Sequence, residues 1–305
     1  MADRERSFEG GTNPAMDDRS CVAFLQWALP HMGMRWQGFR KVRRQVCRRI
    51  RDRIVELGLE GPEAYRSHLQ KEPREWEHLA TLCRVTISRF HRDRGVFRFL
   101  SSEVLPALAD GVARAGEDAR LRIWSAGCAS GEEPYTLAIL WRLEPSTRPP
   151  DAELRILATD VDPVVLDRAR QASYPSGTLR ELPDTHRKRA FEPGGDEYRL
   201  RPEFSEGVEF RQADLRRELP DESFHLILCR NLVFTYFEED EQRRILSGLL
   251  ARLERGGGLV LGAHETLPEG RWPLEPWTPS EPVFRRIAEP VGRSGPDLDE
   301  GESEG

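Results

Sequence analysis

The residues best placed to do chemistry in this chain are carboxylates gathered around a glycine turn. In "LRIWSAGCASGEEPYTLAILW" an apolar run breaks at Gly127, passes Gly131, and turns acidic at Glu132 and Glu133 before a second apolar run. A glycine backbone lets a ligand approach closely. The GxxxG spacing is not the GxGxxG of dinucleotide sites, and two glutamates at a helix N-terminus repel phosphate where such a terminus ordinarily attracts it. The pattern therefore predicts a ligand that is cationic or neutral. Acids that merely complement the helix dipole are the plainer reading.

Further acids follow at comparable places. "ATDVDPVVLDRA" ends an apolar run at Asp160 and Asp162, "QADL" carries Asp214, and "CRNLVFTYF" carries Asn231. A carboxylate at Asp160 can accept both hydroxyl hydrogens of a ribose. Asp162, followed by Pro163, reads as a helix cap. Asp214 suits an adenine amino group. Together these residues predict an adenosine and ribose site with a carboxylate beside a positive charge, and S-adenosylmethionine has all three parts.

The elements that would position them are legible in outline. After Ala119, short apolar runs ("LRIWSAG", "ELRILATDVD", "GVEFRQADL", "FHLILCRN", "GGLVLGAHE") alternate with helical segments such as "DEQRRILSGLLARLERG". That alternation predicts a parallel sheet with crossover helices, an open α/β domain that binds its ligand beyond the carboxyl ends of its strands. Residues 22–105 read as helical. In "GFRKVRRQVCRRIRDRIVELGLEG", Phe39, Val42, Val46, Ile50, Ile54 and Leu57 form one stripe that ends at Gly58. The other face carries Arg35, Arg40, Lys41, Arg43, Arg44, Arg48, Arg49, Arg51 and Arg53 against Asp52, in a chain of net charge −6. This is either a solvated face or a docking surface for an acidic partner. The absence of interleaved aromatics and of a nucleic-acid motif disfavours nucleic acid.

Composition sets the remaining bounds. In 305 residues, 32% are charged and 8% aromatic, the values of a globular chain. The five cysteines are widely spaced with no CxxC pair, which argues against a disulfide scaffold and a zinc site and for a reducing, cytoplasmic setting. No signal core or apolar run of membrane-spanning length is present, so no membrane insertion is expected. Residues 1–20 and the acidic stretch 289–305 read as disordered tails.

The segments "WSAGCASGEEPYTLA", "ATDVDPVVLDRAR" and "FHLILCRNLVFTYF" resemble the signature segments of the CheR-type chemotaxis protein-glutamate methyltransferases, and "TISRFHRDRGVFRFL" resembles the family's Thr-x-Phe-Phe-Arg-Asp segment. The likeness runs from about residue 22 to 288. It implies a Rossmann-like S-adenosylmethionine-dependent methyltransferase sheet (106–288), an N-terminal helical domain (21–105) and a short inserted β hairpin (173–207). By resemblance the cofactor contacts fall on Thr86, Ser88, Arg92, Glu133, Asp160, Asp214, Leu215, Asn231 and Leu232, joined by Gly127 from the turn itself. The implied reaction is methyl transfer to glutamate side chains of an acidic protein, such as the methylation helices of a chemoreceptor, docked on Arg44, Arg48, Arg49 and Arg51. Glutamate, with a pKa of about 4.3, is already an anion at neutral pH and needs no general base. Arg92 would hold a carboxylate of acceptor or cofactor, or else be a surface ion pair; Tyr236 would orient the acceptor, or else be a core aromatic. The sequence departs from the family at His91, which replaces a phenylalanine near the expected acceptor, and in the spacing from Asn231 to Tyr236, one residue longer. These departures motivate two alternatives: the same fold acting on another protein or a small molecule, and a cofactor-binding regulatory module without turnover.

Overall fold

The computed structural model describes residues 16–116, 120–144, 149 and 152–288. The expected tails at 1–15 and 289–305 lie outside the described residues. Residues 16–20, expected in the first tail, are structured. Met16 is buried, Asp17 caps the first helix by accepting from the Ser20 amide at 2.6 Å, and the Met16 carbonyl accepts from Arg51 at 2.9 Å.

Five helices form the N-terminal part: α1 (Asp18–His31), α2 (Trp36–Phe39), α3 (Arg43–Glu56), α4 (Pro62–Lys71) and α5 (Pro73–Leu82). Prolines open α4 and α5, where a missing N–H costs nothing. The stripe Val46, Ile50 and Ile54 is fully buried, and the helix stops where Gly58 takes φ +66°. A turn at 40–42 separates Phe39 from that stripe and puts it on α2. Cys21 of α1 and Cys47 of α3 form a disulfide, with Cα atoms 5.9 Å apart. The cysteine spacing argued against a disulfide scaffold and did not foresee this bond: the pair is 26 residues apart in sequence, and only the packing of α1 on α3 brings it together. The support that cysteine usage lent to a reducing compartment falls with it. Cys83, Cys128 and Cys229 are free and buried.

The next helix, α6 (Arg94–Phe99), continues through one π turn (Leu100–Val104) into α7 (Leu105–Ala115). Val96, Leu100, Val104, Leu105 and Leu108 bury against Ile123, Leu226 and Val260 of the sheet. Residues 94–105, expected in the helical domain, therefore pack with the sheet.

That sheet has seven strands: β1 (Arg120–Ala126), β2 (Glu153–Asp160), β6 (Val208–Gln212), β7 (Phe224–Leu228), β8 (Leu253–Val260), β9 (Leu274–Pro276) and β10 (Val283–Arg286), in the order β6-β2-β1-β7-β8-β10-β9. The first five are parallel, as the alternating pattern predicted; β9 and β10 run antiparallel at the edge. Helices α8 (Glu132–Leu143), α9 (Pro163–Gln171) and α12 (Glu239–Arg252) make crossovers, and α11 (Val233–Tyr236) follows β7. Successive residues of β1 face opposite layers: Ile123 faces α7 and α8, whereas Trp124 joins a core shared by α1, α3, α12 and the sheet. The chain winds both ways from β1, so the turns after β1 and β7 meet at a topological switch point.

Between α9 and β6 sits the inserted element. It holds the expected hairpin, β4 (Phe191–Gly194) with β5 (Glu197–Leu200), but also a third antiparallel strand, β3 (Ser173–Pro175), and helix α10 (Asp184–Ala190). Its Tyr174 and Phe191 pack edge-on against Phe90, and it shares a core with that residue and with Tyr135 and Ile139 of α8. Among the described residues no helix is long and apolar enough to cross a membrane.

Candidate functional site

Beyond the carboxyl ends of β1, β2, β6 and β7 lies a cavity roofed by the segment 83–89 and by Phe39 of α2. Its floor is the turn after β1. The amides of Gly127 and Cys128 both donate to the Thr159 carbonyl, at 2.8 and 2.9 Å, which stitches this turn to β2. Gly127 has φ +86°, and a Cβ there would stand 2.4 Å from Leu232 Cδ2, so only glycine leaves the cradle open. Gly131 serves packing instead: a Cβ would press on Ala169, Tyr135 and Phe210, away from the cavity.

Asp160 ends β2 in the cavity wall. One carboxylate oxygen accepts from the Ala129 amide at 2.9 Å and the other from the Asp162 amide at 3.0 Å, and burial raises its pKa. Two of its roughly four lone-pair positions remain for a ligand. Asp162 caps α9 through the Val164 amide at 3.0 Å. Asp214 and Leu215 follow β6. Burial alone would raise the Asp214 pKa, but the Arg216 guanidinium, 3.0 to 3.1 Å from both its oxygens, and the Arg216 amide leave it lowered.

Glu133, at the start of α8, accepts from Ser125 Oγ at 2.7 Å and from Arg230 at 2.9 Å. Its neighbour Glu132 points into the protein. That carboxyl is buried, one of its oxygens lacks a partner, and burial pushes its pKa up to about 7 against a hydrogen bond from Ser88. Thr86 and Ser88 line the roof, and Arg92 closes the rim, donating to Asn231 Oδ1 at 3.0 Å and to the Ile87 carbonyl at 3.1 Å. Asn231, Leu232 and Tyr236 form the side after β7. Tyr236 reaches the cavity despite the longer spacing, its ring edge-on to Phe39 at 5.0 Å.

The structure thus brings all of the expected cofactor and catalytic positions to one cavity. His91 is not among them: it turns away, stacks on Phe97, and takes its place in a different recess. The docking expectation needs correcting at two residues. Arg49 donates to the carbonyls of Leu82 and Arg84 at 3.2 and 2.6 Å, and Arg51 to that of Met16. Helical pitch carries both round to main-chain carbonyls at the end of α5 and before α1, where donors are wanted. Arg43 pairs with Asp18, Arg53 with Glu75, and Arg35 with the carbonyls of Phe234 and Thr235. The exposed basic side chains that remain are Arg40, Lys41, Arg44 and Arg48.

Two residues that hold the site together were missed in the sequence. Arg230, its side chain 2% exposed, joins Glu133 to Asp93 at 2.8 Å and to the Arg92 carbonyl at 2.9 Å. Glu265 accepts from the amides of Asn231, Leu232 and Gly262 and from the Thr235 hydroxyl, fixing the loop after β7. The available signal was position: each is a charged residue just past an apolar strand, in "CRN" and in "GAHE".

Residues 86–276 match the family model described as CheR methyltransferase, SAM binding domain. The chain is similar to a chemotaxis protein methyltransferase of Listeria innocua, 36% identical over 225 residues, covering 73% of this chain and 81% of that protein. Chemotaxis protein methyltransferase 2 of Pseudomonas aeruginosa is 35% identical over 226 residues, covering 72% and 76% respectively.

Proposed function

Since the chain belongs to the CheR methyltransferase family and uses S-adenosylmethionine, we propose that its acceptor is the side-chain carboxylate of glutamate in an acidic protein, a chemoreceptor-type substrate in keeping with the names of its relatives. The observation that carries this reading is Arg92. Among the described arginines in the cavity wall it is bonded to neutral oxygens, whereas Arg230 and Arg216 are each held by carboxylates. A guanidinium at the rim without an acid is suited to a carboxylate brought by a ligand.

The donor set fits the cofactor. Asp160 keeps acceptor capacity for ribose hydroxyls, Gly127 leaves room for a close backbone approach, and no phosphate cradle is present in the described turn. Asp214, Leu215, Thr86 and Ser88 would hold the adenosine end; Glu133, Asn231 and Arg92 the amino-acid end. The cofactor supplies an electrophilic methyl group on a sulfonium. The protein positions the acceptor oxygen and excludes water, since a glutamate carboxylate needs no base. Segment 83–89 and Phe39 roof the cavity, and Arg92 and Tyr236 line it where an acceptor would enter. The exposed Arg44 and Arg48 supply a positive face for the acidic partner. Of the two motives for a different acceptor, His91 loses force because it is not in the cavity wall, and the longer spacing still brings Tyr236 to the cavity.

Methyl-labelled cofactor tests the reading directly. Label that base releases as methanol from an acidic receptor fragment supports a glutamyl ester; base-stable label would mean another acceptor, and binding without transfer a regulatory module. The double substitution Arg44→Glu, Arg48→Glu should lower kcat/KM on the protein acceptor by roughly tenfold with cofactor Kd unchanged. Unchanged turnover would remove α3 from docking.

A further inference from the structure

On the far side of the Arg92 loop, α6 and α8 meet the inserted element across a recess that the methyl-transfer reading leaves without a role. It is lined by His91, Arg94 and Arg98 on one side and by Arg180 and His186 on the other. Both histidines are more than nine-tenths buried, at 4% and 8% exposure, and Nδ1 of each has no hydrogen-bond partner. Two buried ring nitrogens left unmatched in one recess are uncommon, since buried polar groups are nearly always satisfied.

Charges of both signs line the recess, but it is the positive ones that are left unpaired. The acids that also line the recess are each engaged: Glu144 with His186 at 2.9 Å, Glu181 with Arg89 at 3.1 Å, and Asp184 with Arg187 at 2.8 Å. No ion pair holds Arg94, Arg98 or Arg180 among the described residues; Arg94 touches only the Arg180 carbonyl, at 3.3 Å. Burial, followed by the neighbouring His186, Arg94, Arg98 and Arg230, depresses the His91 pKa to about 4, so the ring is neutral and its nitrogen can donate without charge. Among the described residues no three His, Cys, Asp or Glu side chains converge as metal ligands. Three arginines would repel a cation in any case.

We propose that this recess is a second ligand site, which takes an anion of the phosphate class, bound by Arg94, Arg98 and Arg180 with the unpartnered ring nitrogen of His91 as a neutral donor. Fork-shaped guanidinium groups on two facing elements match the several oxygens of such a group better than lysines would. The site is separate from the cofactor cavity, sharing with it only the loop that runs from His91 to Arg92.

The test is calorimetric titration of the full chain with pyrophosphate, the cofactor cavity being filled beforehand with S-adenosylhomocysteine. Saturable one-to-one binding is expected, weakened at least about tenfold by Arg98→Ala with Arg180→Ala, two exposed side chains whose loss leaves the fold intact by thermal unfolding. The imidazole resonances of His91 and His186 should move on titration, and the His91 pKa should rise. Adenosine diphosphate as a parallel probe separates the sources: tighter binding than pyrophosphate means a nucleotide, equal binding the phosphate group alone. Failure of pyrophosphate to saturate, or binding that survives the double substitution and leaves both histidines unmoved, would overturn the proposal.

Discussion

Replacing Arg230 by methionine should damage this protein more than any other single change at the cavity. The guanidinium is almost fully enclosed, and it links Glu133, Asp93 and the Arg92 carbonyl within 2.8 to 2.9 Å while lying over the Phe97 ring at 4.9 Å. Methionine keeps the aliphatic bulk and removes the charge, leaving two carboxylates without their cation. Breaking a buried pair in this way costs about 3–5 kcal/mol. Asp93 is a quarter exposed and can recover some hydration, whereas Glu133 is 13% exposed and cannot. The loss should therefore fall near the lower end, ~3 kcal/mol, or several degrees of melting temperature in a chain of this size. Urea unfolding at neutral pH measures it, and cofactor titration should show weaker binding, because Glu133 and the Arg92 backbone lose a common anchor. The mechanism makes a further demand: Arg230→Met with Glu133→Gln should recover ~1–2 kcal/mol, since the stranded charge is gone. Strictly additive losses, or a single-variant loss under ~1 kcal/mol, would refute the electrostatic account and leave only packing.

Two other predictions rest on separate features. Glu132 has a folded pKa of about 7 against an unfolded value of 4.5, so above pH 4.5 the unfolded chain loses this proton first and stability falls until about pH 7. The penalty at higher pH is ~3 kcal/mol; Glu132→Gln should therefore gain on the parent between pH 5 and pH 8 in urea unfolding, and a pH-independent difference would contradict the assignment. Reducing the Cys21–Cys47 disulfide, which closes a loop over a 26-residue separation, should lower stability by about 3 kcal/mol, and a reductant that leaves the unfolding midpoint unchanged would mean that the bond contributes nothing.

The sequence made some of this legible and hid the rest for identifiable reasons. Four of the five parallel strands were readable because each holds an apolar run long enough to be distinctive, while β6 (VEFRQ) is mixed and was placed by the alternation around it; Asp160, Asp214 and Asn231, at or just past strand ends, then mark the ligand side by topology alone. The edge strands β9 and β10, three and four residues long, carry no comparable signal. Arg49 and Arg51 looked like their neighbours Arg44 and Arg48 because a helix periodicity gives the face of a residue but not what other element comes to meet that face. The same limit applies to Cys21 with Cys47, to Arg230 and to Glu265. Each acts through partners brought from distant parts of the chain, and such pairings depend on strand register and helix packing that one local pattern does not contain.

Backbone strain in the described chain is concentrated at the cavity. Of the five non-glycine residues with positive φ, His91 and Asp93 flank Arg92, Ala129 follows the Gly127 turn, and Asn231 accepts from Arg92; only Ala172 lies elsewhere. A left-handed residue with a Cβ costs about 1–2 kcal/mol, less for Asp and Asn, so His91 and Ala129 represent ~2–4 kcal/mol of unfavourable conformation and Asp93 and Asn231 add less. Each is held by a side chain from another element: His91 by Thr136, Asp93 by Arg230, Ala129 by Asp160, and Asn231 by Glu265. A chain selected for stability alone would place glycine at such positions. Here the side chains of Asp93 and Asn231 are needed for the ion pair with Arg230 and the hydrogen bond with Arg92, and the strain is offset by the same buried polar contacts that orient Arg92. The rigidity of the rim and the stability of the switch-point loops are thus one property, which is why Arg230, a residue with no proposed contact to acceptor, is the position where both should fail together.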